Sequence, residues 1–248
     1  MKKVRFYESF SDDFEKNLDH TLSDDYIWVR KDIFSKILSA VIYFLALIFS
    51  SIYCGIFLKM RVKNRKILKN LKGGFFIYGN HTQPVGDVFI PALAVFPRRI
   101  YTVVSCANYA LPIIGKILPF LGALPIKNSL KGMGELNKAI DYRIKMGNPV
   151  TIYPEAHVWK YYTKIRPFPE TSFKFATKND TPAISMTVTY KKSKIFKRPK
   201  MEVFLDGPFV GQGNSVKEKS VNLRDKIYNT MVERSKNSDC EFVLYRKK

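Results

Sequence analysis

The sequence predicts an α/β fold, with a mostly parallel central sheet flanked by helices and an N-terminal hydrophobic membrane-anchoring helix. Three observations predict it. Short apolar runs, rich in β-branched and aromatic residues, alternate with stretches of helical spacing. One long segment, Ile37 to Leu58, carries no charge at all. Several apolar runs also end abruptly at Gly, Pro or Asn, with chemically useful residues just beyond, as parallel sheets present their sites.

Residues 1–33 hold eight acids and six bases and read as a polar arm, with a short helix before the apolar segment. Residues 34–59 read as the anchoring helix, because a bilayer core needs about 20 apolar residues. Lys36 and Lys59 bracket the uncharged run, and Arg61, Lys63, Arg65 and Lys66 follow it. It starts too late for a signal peptide and lacks a small-residue cleavage pattern. Spanning the bilayer and lying in its interface both remain open.

Residues 60–248 read as the α/β domain. "GFFIYGN" is a short buried strand and "DVFIPALAVF" a short helix. "RRIYTVVSC" is a second strand. Short helical pieces around Pro112, Gly115 and Pro119 lead to a strand at "GALPI". "GMGELNKAIDYRIKMGN" puts Leu136, Ile140 and Ile144 at helical spacing, with Gly147 and Asn148 as its stop. "PVTIYPEA" is another buried strand, "SFKFATKND" an amphipathic helix, and "PAISMTVTY" and "KMEVFLDG" further strands. A last helix covers "VKEKSVNLRDKIYNTMVERSK". His81, Asn128 and Glu155 fall just past strand ends.

The charge narrows the partners. Against 21 Asp and Glu stand 42 Lys and Arg, a net +21. Nucleic acid, an anionic membrane and acidic soluble molecules all suit such a balance. No zinc-finger spacing, RNP-type aromatic motif or basic zipper is present, so no nucleic acid is expected. Beside an apolar segment, the bases suit an anionic membrane surface, at about 1 kcal/mol per residue near the headgroups. The expected location is the cytoplasmic membrane, with the catalytic domain on the cytoplasmic face. Three cysteines, an odd number, argue against a disulfide framework and for a reducing compartment.

His81 is one of three histidines, and it follows an apolar strand. Asp87 could accept a hydrogen bond from one ring nitrogen and fix the tautomer. The other nitrogen could then take a proton from a hydroxyl. No G-x-S-x-G and no reactive cysteine context accompanies the pair, so it points to activation of a substrate hydroxyl. Asn80-His81-Thr82 matches a glycosylation acceptor, a reading set aside because nothing indicates secretion. His81, Asp87, Glu155 and His157 are also hard or borderline metal ligands. That leaves a metal-assisted lipid or phosphoester hydrolase as an alternative, although no H-E-x-x-H is present.

In order along the chain, "GNHTQPVGD", "ANYALPIIGKILPFLGALPIKN", "VTIYPEA" and "RPFPETSFKFATKNDTPAISM" resemble the blocks of the glycerolipid acyltransferases, the 1-acylglycerol-3-phosphate acyltransferase family. The likeness covers roughly residues 60–210 and has the character of a divergent bacterial branch. It implies an acyl transfer from acyl-CoA or acyl carrier protein to a lysophospholipid hydroxyl, first of all that of 1-acylglycerol-3-phosphate. It implies no cofactor, no metal and no covalent acyl-enzyme. His81 would be the general base and Asp87 its orienting partner. Substrate would be bound by Asn80 and Thr82 beside the base and by Lys127, Asn128 and Glu155 in the second and third blocks. Two arginines of the family's blocks are absent, and Lys127, Lys131, Lys164 or Arg166 could bind the acceptor phosphate in their place. The chain departs from the family pattern in three places. Five residues separate His81 from Asp87, where the family has four. Lys127-Asn128 replaces Asp-Arg, and "PEAHVW" replaces Pro-Glu followed by Gly-Thr-Arg. Those departures suggest a third reading, a non-catalytic membrane lipid-binding module.

Overall fold

A computed structural model describes residues 3–14, 20–193 and 198–248. Its centre is a seven-stranded sheet. Across the sheet the strands are Arg61–Lys63 (β2), Lys200–Phe209 (β8), Ala183–Lys191 (β7), Phe76–Gly79 (β3), Val150–Ile152 (β6), Tyr101–Ser105 (β4) and Ala123–Ile126 (β5). From β7 to β5 all pairings are parallel. β8 runs antiparallel to β7, and β2 follows β8 in parallel. The expected mostly parallel α/β sheet is therefore present.

The helices are Ile33–Ile52 (α1), Gly86–Val95 (α2), Ile114–Leu121 (α3), Leu130–Lys145 (α4), Lys174–Thr177 (α5) and Val216–Ser235 (α6). Their starts have local causes. Asp32 caps α1 by accepting from Ser35 N at 2.7 Å, Ser129 caps α4 from Gly132 N at 3.0 Å, and Ser215 caps α6 from Glu218 N at 3.1 Å.

β3 is buried on both faces, as a central parallel strand must be. Alternation divides its neighbourhood into two cores. Phe75 and Ile77 pack with Ile90, Val95 and Met186 on the side of α1 and α2. Phe76 and Tyr78 pack with Leu136, Ile140, Leu223 and Ile227 on the side of α4 and α6. The two-residue period of one strand thus assigns each helix pair its face.

Three features differ from the expectations. In the arm, Lys3–Tyr7 (β1) is a strand, paired in parallel with Val243–Lys247 (β9) in a separate two-stranded sheet. β2 lies inside the basic stretch that follows the apolar helix. The helix expected over 172–180 shrinks to a 3-10 turn, Thr171–Phe173, and the single turn α5. Asp180 takes φ 45° and Thr181 N folds back onto Ala176 O at 2.9 Å, which ends the helix.

α1 continues through a π-turn, giving an apolar run from Ile33 to Phe57 of 25 residues. It packs on α2 and α3. Much of the run still faces outward, with only 11 % of its most apolar window buried.

Gly74 marks where the strand that carries the site meets the end of α4. A Cβ there would lie 2.4 Å from Ile144 O and 2.7 Å from Ile144 Cα, both backbone. Gly74→Ala is expected to lower the unfolding free energy by about 1–3 kcal/mol, the range for overpacking. Urea denaturation checks this; an unchanged midpoint would mean that the α4 terminus yields freely.

Candidate active site

The site is built where β3 ends. Asn80 extends the strand with its side chain: Nδ2 donates to Val188 O at 3.0 Å, and Oδ1 accepts from Val188 N at 2.8 Å. That amide replaces one more rung of the β3–β7 ladder and directs the chain out of the sheet at His81. The chain then turns through Thr82–Val85 into α2, whose first turn carries Asp87.

Asp87 Oδ2 lies 2.7 Å from His81 Nδ1 and accepts from Gln83 N at 2.8 Å. The carboxylate is 2 % exposed. Burial raises its pKa above the ordinary carboxylate value, while the hydrogen bond and charge of His81 and the Gln83 N–H pull the other way. The start of α2 adds a favourable dipole. An ionised Asp87 requires the proton on Nδ1, which leaves the Nε2 lone pair free. Nε2 has no hydrogen-bond partner among the described residues, and the His81 side chain is 20 % exposed. A buried acid behind and an accessible nitrogen in front form a base aimed outward.

Two tyrosines, not singled out in the sequence, complete the support. The Tyr153 ring stacks on His81 with centroids 4.5 Å apart and planes at 15°. Its hydroxyl donates to Asp87 O at 2.5 Å. Burial pushes the Tyr153 phenol well up, so it stays a donor. Gly79 makes room, since a Cβ there would sit 2.8 Å from Tyr153 Cε1. The Tyr190 hydroxyl meets Thr82 Oγ1 at 2.7 Å and accepts from Gln83 Nε2 at 3.0 Å. The turn between His81 and Asp87 is thereby pinned from β7.

The strand-to-loop segment after β6 closes the third side. Glu155 accepts from His81 N at 3.0 Å, and Trp159 N donates to His81 O at 3.0 Å. Tyr161 N likewise donates to Thr82 O at 3.0 Å.

The family described as Acyltransferase matches residues 59–189, more than half of the 248 residues. The chain belongs to the acyltransferase family. In fold it is similar to the 1-acyl-sn-glycerophosphate (LPA) acyltransferase PlsC from Thermotoga maritima. The TM-score is 0.58 at 15 % identity, over 86 % of this chain and 87 % of that one. A comparison with curated proteins finds no match.

Within this acyltransferase the residues singled out in the sequence divide into two groups. His81, Asp87, Asn80, Thr82, Glu155 and Arg166 are gathered at one place by the contacts above and by the Glu155–Arg166 ion pair at 3.0 Å. Among the described residues, no hydrogen bond or ion pair joins Lys127, Asn128 or Lys164 to that group. Lys127 follows β5 and donates to Ser23 O and to the Asp24 carboxylate of the arm. Asn128 is exposed just before the α4 cap. Lys164 is exposed on the wall of a surface hollow that also holds Lys192 and Lys236. The four candidate metal ligands do not converge either. Glu155 is bound to Arg166, and His157 Nδ1 lies 3.0 Å from Asp13 Oδ2. Among the described residues no three His, Cys, Asp or Glu side chains form a metal-sized group.

Asp87→Asn is expected to cut acyl transfer by at least about 100-fold, the lower range for losing general base function. Stability should move oppositely. An acid whose folded pKa is raised stabilises the fold below its unfolded value, near 3.8, and loses that contribution as pH rises through the folded value. At neutral pH the ionised Asp87 is a net cost, so the Asn protein should melt at or above the wild-type temperature. A clear fall in melting temperature at neutral pH would contradict this.

Proposed function

We propose that this acyltransferase moves a fatty acyl group from acyl-CoA or acyl carrier protein to the hydroxyl of a lysophospholipid at a membrane. 1-Acylglycerol-3-phosphate is the acceptor to try first, as the PlsC-like fold and the block order suggest. One observation carries the reading: the 2.7 Å His81–Asp87 contact with Nε2 left without a partner among the described residues. His81 Nε2 takes the proton of the acceptor hydroxyl as that oxygen attacks the thioester carbonyl. The Asp87 carboxylate stabilises the imidazolium. The C–S bond then breaks and the departing thiolate takes the proton back from Nε2, leaving an ester, a thiol and neutral His81. No cofactor enters this sequence.

Membrane association rests on α1. Phe34, Val41, Phe44, Leu45, Ile48 and Phe49 are exposed along it. Its opposite side is tied to the domain. Ser39 Oγ donates to Phe120 O at 2.6 Å, and Tyr43 OH accepts from Ile100 N at 3.1 Å. Crossing the bilayer would tear these bonds away, so the helix lies in the interface with its outer face in one leaflet. Arg61, Lys63, Arg65, Lys66, Lys69 and Lys72, all exposed, follow it and suit anionic headgroups, as on a cytoplasmic face.

Purified protein with labelled acyl-CoA or acyl carrier protein and a panel of lysolipids tests the reaction. The wild type should acylate 1-acylglycerol-3-phosphate, and His81→Ala should lose at least about 100-fold of kcat while folding normally. Equal activity in His81→Ala would refute the mechanism, and binding without turnover in the wild type would leave the lipid-binding module. Chelator-sensitive hydrolysis with no transfer would favour the metal-assisted hydrolase.

Flotation with vesicles tests the membrane reading. At 1 M salt, where screening acts within about 3 Å, binding to phosphatidylglycerol vesicles should weaken but persist. Phe44→Glu with Ile48→Glu should abolish it. Complete release by salt alone would show a purely electrostatic contact.

A further inference from the structure

Glu155, by its block, and Arg166, by its charge, were expected to bind the acceptor, yet both are sealed from solvent. Their side chains are 0 % and 1 % exposed. Glu155 Oε2 accepts from His81 N and from Arg166 Nη2, each at 3.0 Å, and Oε1 accepts from Arg166 N at 2.9 Å. Three donors already occupy this carboxylate. The Arg166 guanidinium donates further to His157 O and, from Nη1, to Phe10 O at 3.4 Å. It lies over the Trp159 ring with Cζ 4.9 Å from the centroid. Trp159 in turn holds His81 O through its own N–H at 3.0 Å. Both backbone groups of His81 are therefore fixed by residues 155–159. A ligand phosphate has no open approach to Arg166, whose side chain is 1 % exposed.

We propose that Glu155 and Arg166 are positioning residues for His81, not acceptor ligands: the buried pair fixes the His81 backbone so that Nε2 points at the acceptor hydroxyl. This rests on the acyltransferase reading. A buried ion pair is poor evidence for stability, because apolar replacements of equal volume are often neutral or stabilising. Its use here is geometric. An error of about 1 Å in a reacting group can cost about 100-fold in rate. The His81–Asp87 contact orients the ring about its own bonds, and Glu155 fixes the backbone from which that ring hangs.

The test is steady-state kinetics of Glu155→Gln, with acceptor and donor varied separately, alongside amide hydrogen exchange at His81. Gln offers one acceptor oxygen where the carboxylate has two. Kcat should fall about 10- to 100-fold, with KM for the lysolipid within about twofold, and His81 N–H should exchange faster. The double variant Glu155→Leu/Arg166→Met removes both charges together. It should melt close to the wild type and remain as slow as the single variant, separating geometry from stability. If the double variant fails to fold, the Gln variant decides alone. Wild-type kcat in Glu155→Gln would overturn the proposal. So would a large rise in acceptor KM with kcat retained, which would make Glu155 a ligand after all. If the wild type itself transfers no acyl group, the acyltransferase mechanism falls. Exchange at His81 then judges the clamp: unchanged protection in Glu155→Gln would overturn it.

Discussion

Asp87 keeps its carboxylate 2 % exposed, in the first turn of α2 and 2.7 Å from His81 Nδ1. A buried charge is tolerated only where donors surround it. Here a ring nitrogen and the Gln83 amide both meet Oδ2 at the positive end of a helix, while Oδ1 is buried without a hydrogen-bond partner among the described residues. Each donor constrains the chain. The ring must stay in plane with the acid, the turn at Gln83 must stay tight, and α2 must start at Gly86. The central sheet meets those constraints from three strands at once. β3 delivers His81, β6 delivers Tyr153, and β7 delivers Tyr190 and the Val188 backbone that holds Asn80.

The longer turn between His81 and Asp87 shows how such a site tolerates change. Five residues separate the pair. The extra length is absorbed without displacing the acid, because Tyr190 binds Thr82 and Gln83 while Tyr153 binds the Asp87 carbonyl. The Tyr153 ring stacks on His81, and its hydroxyl reaches the start of α2. The N-terminal arm forms an outer layer: the Asp12 carbonyl accepts from Trp159 Nε1 at 2.8 Å, and Phe10 O receives Arg166. Segments far apart in sequence thus converge on the backbone of one histidine.

What the sequence revealed follows the range of the forces involved. Central parallel strands read as apolar runs, because both faces are buried, and so β3, β6 and β7 were legible. α4 was legible from its helical spacing and its Gly147-Asn148 stop, and α6 was read as the last helix, while their capping serines came to light only in the structure. β1 and β9 were not, since "KVRFY" and "VLYRK" are short, charged and paired across almost the whole chain. The His81–Asp87 pair was visible because it is local. Tyr153 and Tyr190 were not, because their roles depend on which strands are neighbours. Glu155 was visible as chemistry from its motif, but its buried contacts with the His81 backbone and with Arg166 were not, because they depend on how distant segments pack. Lys127 was chosen for its place in a block and Lys164 for its charge, and neither says anything of distance.

The central claim is that Asp87 holds the His81 proton on Nδ1 and leaves Nε2 as an accessible base. Nitrogen-15 NMR of histidine-labelled protein at alkaline pH reads this tautomer directly. The expected result is a protonated, hydrogen-bonded Nδ1 and an unprotonated Nε2 in the wild type, with that preference lost in Asp87→Ala. A wild-type His81 carrying its proton on Nε2 would contradict the account, because the nitrogen facing the substrate would then be a donor and not a base.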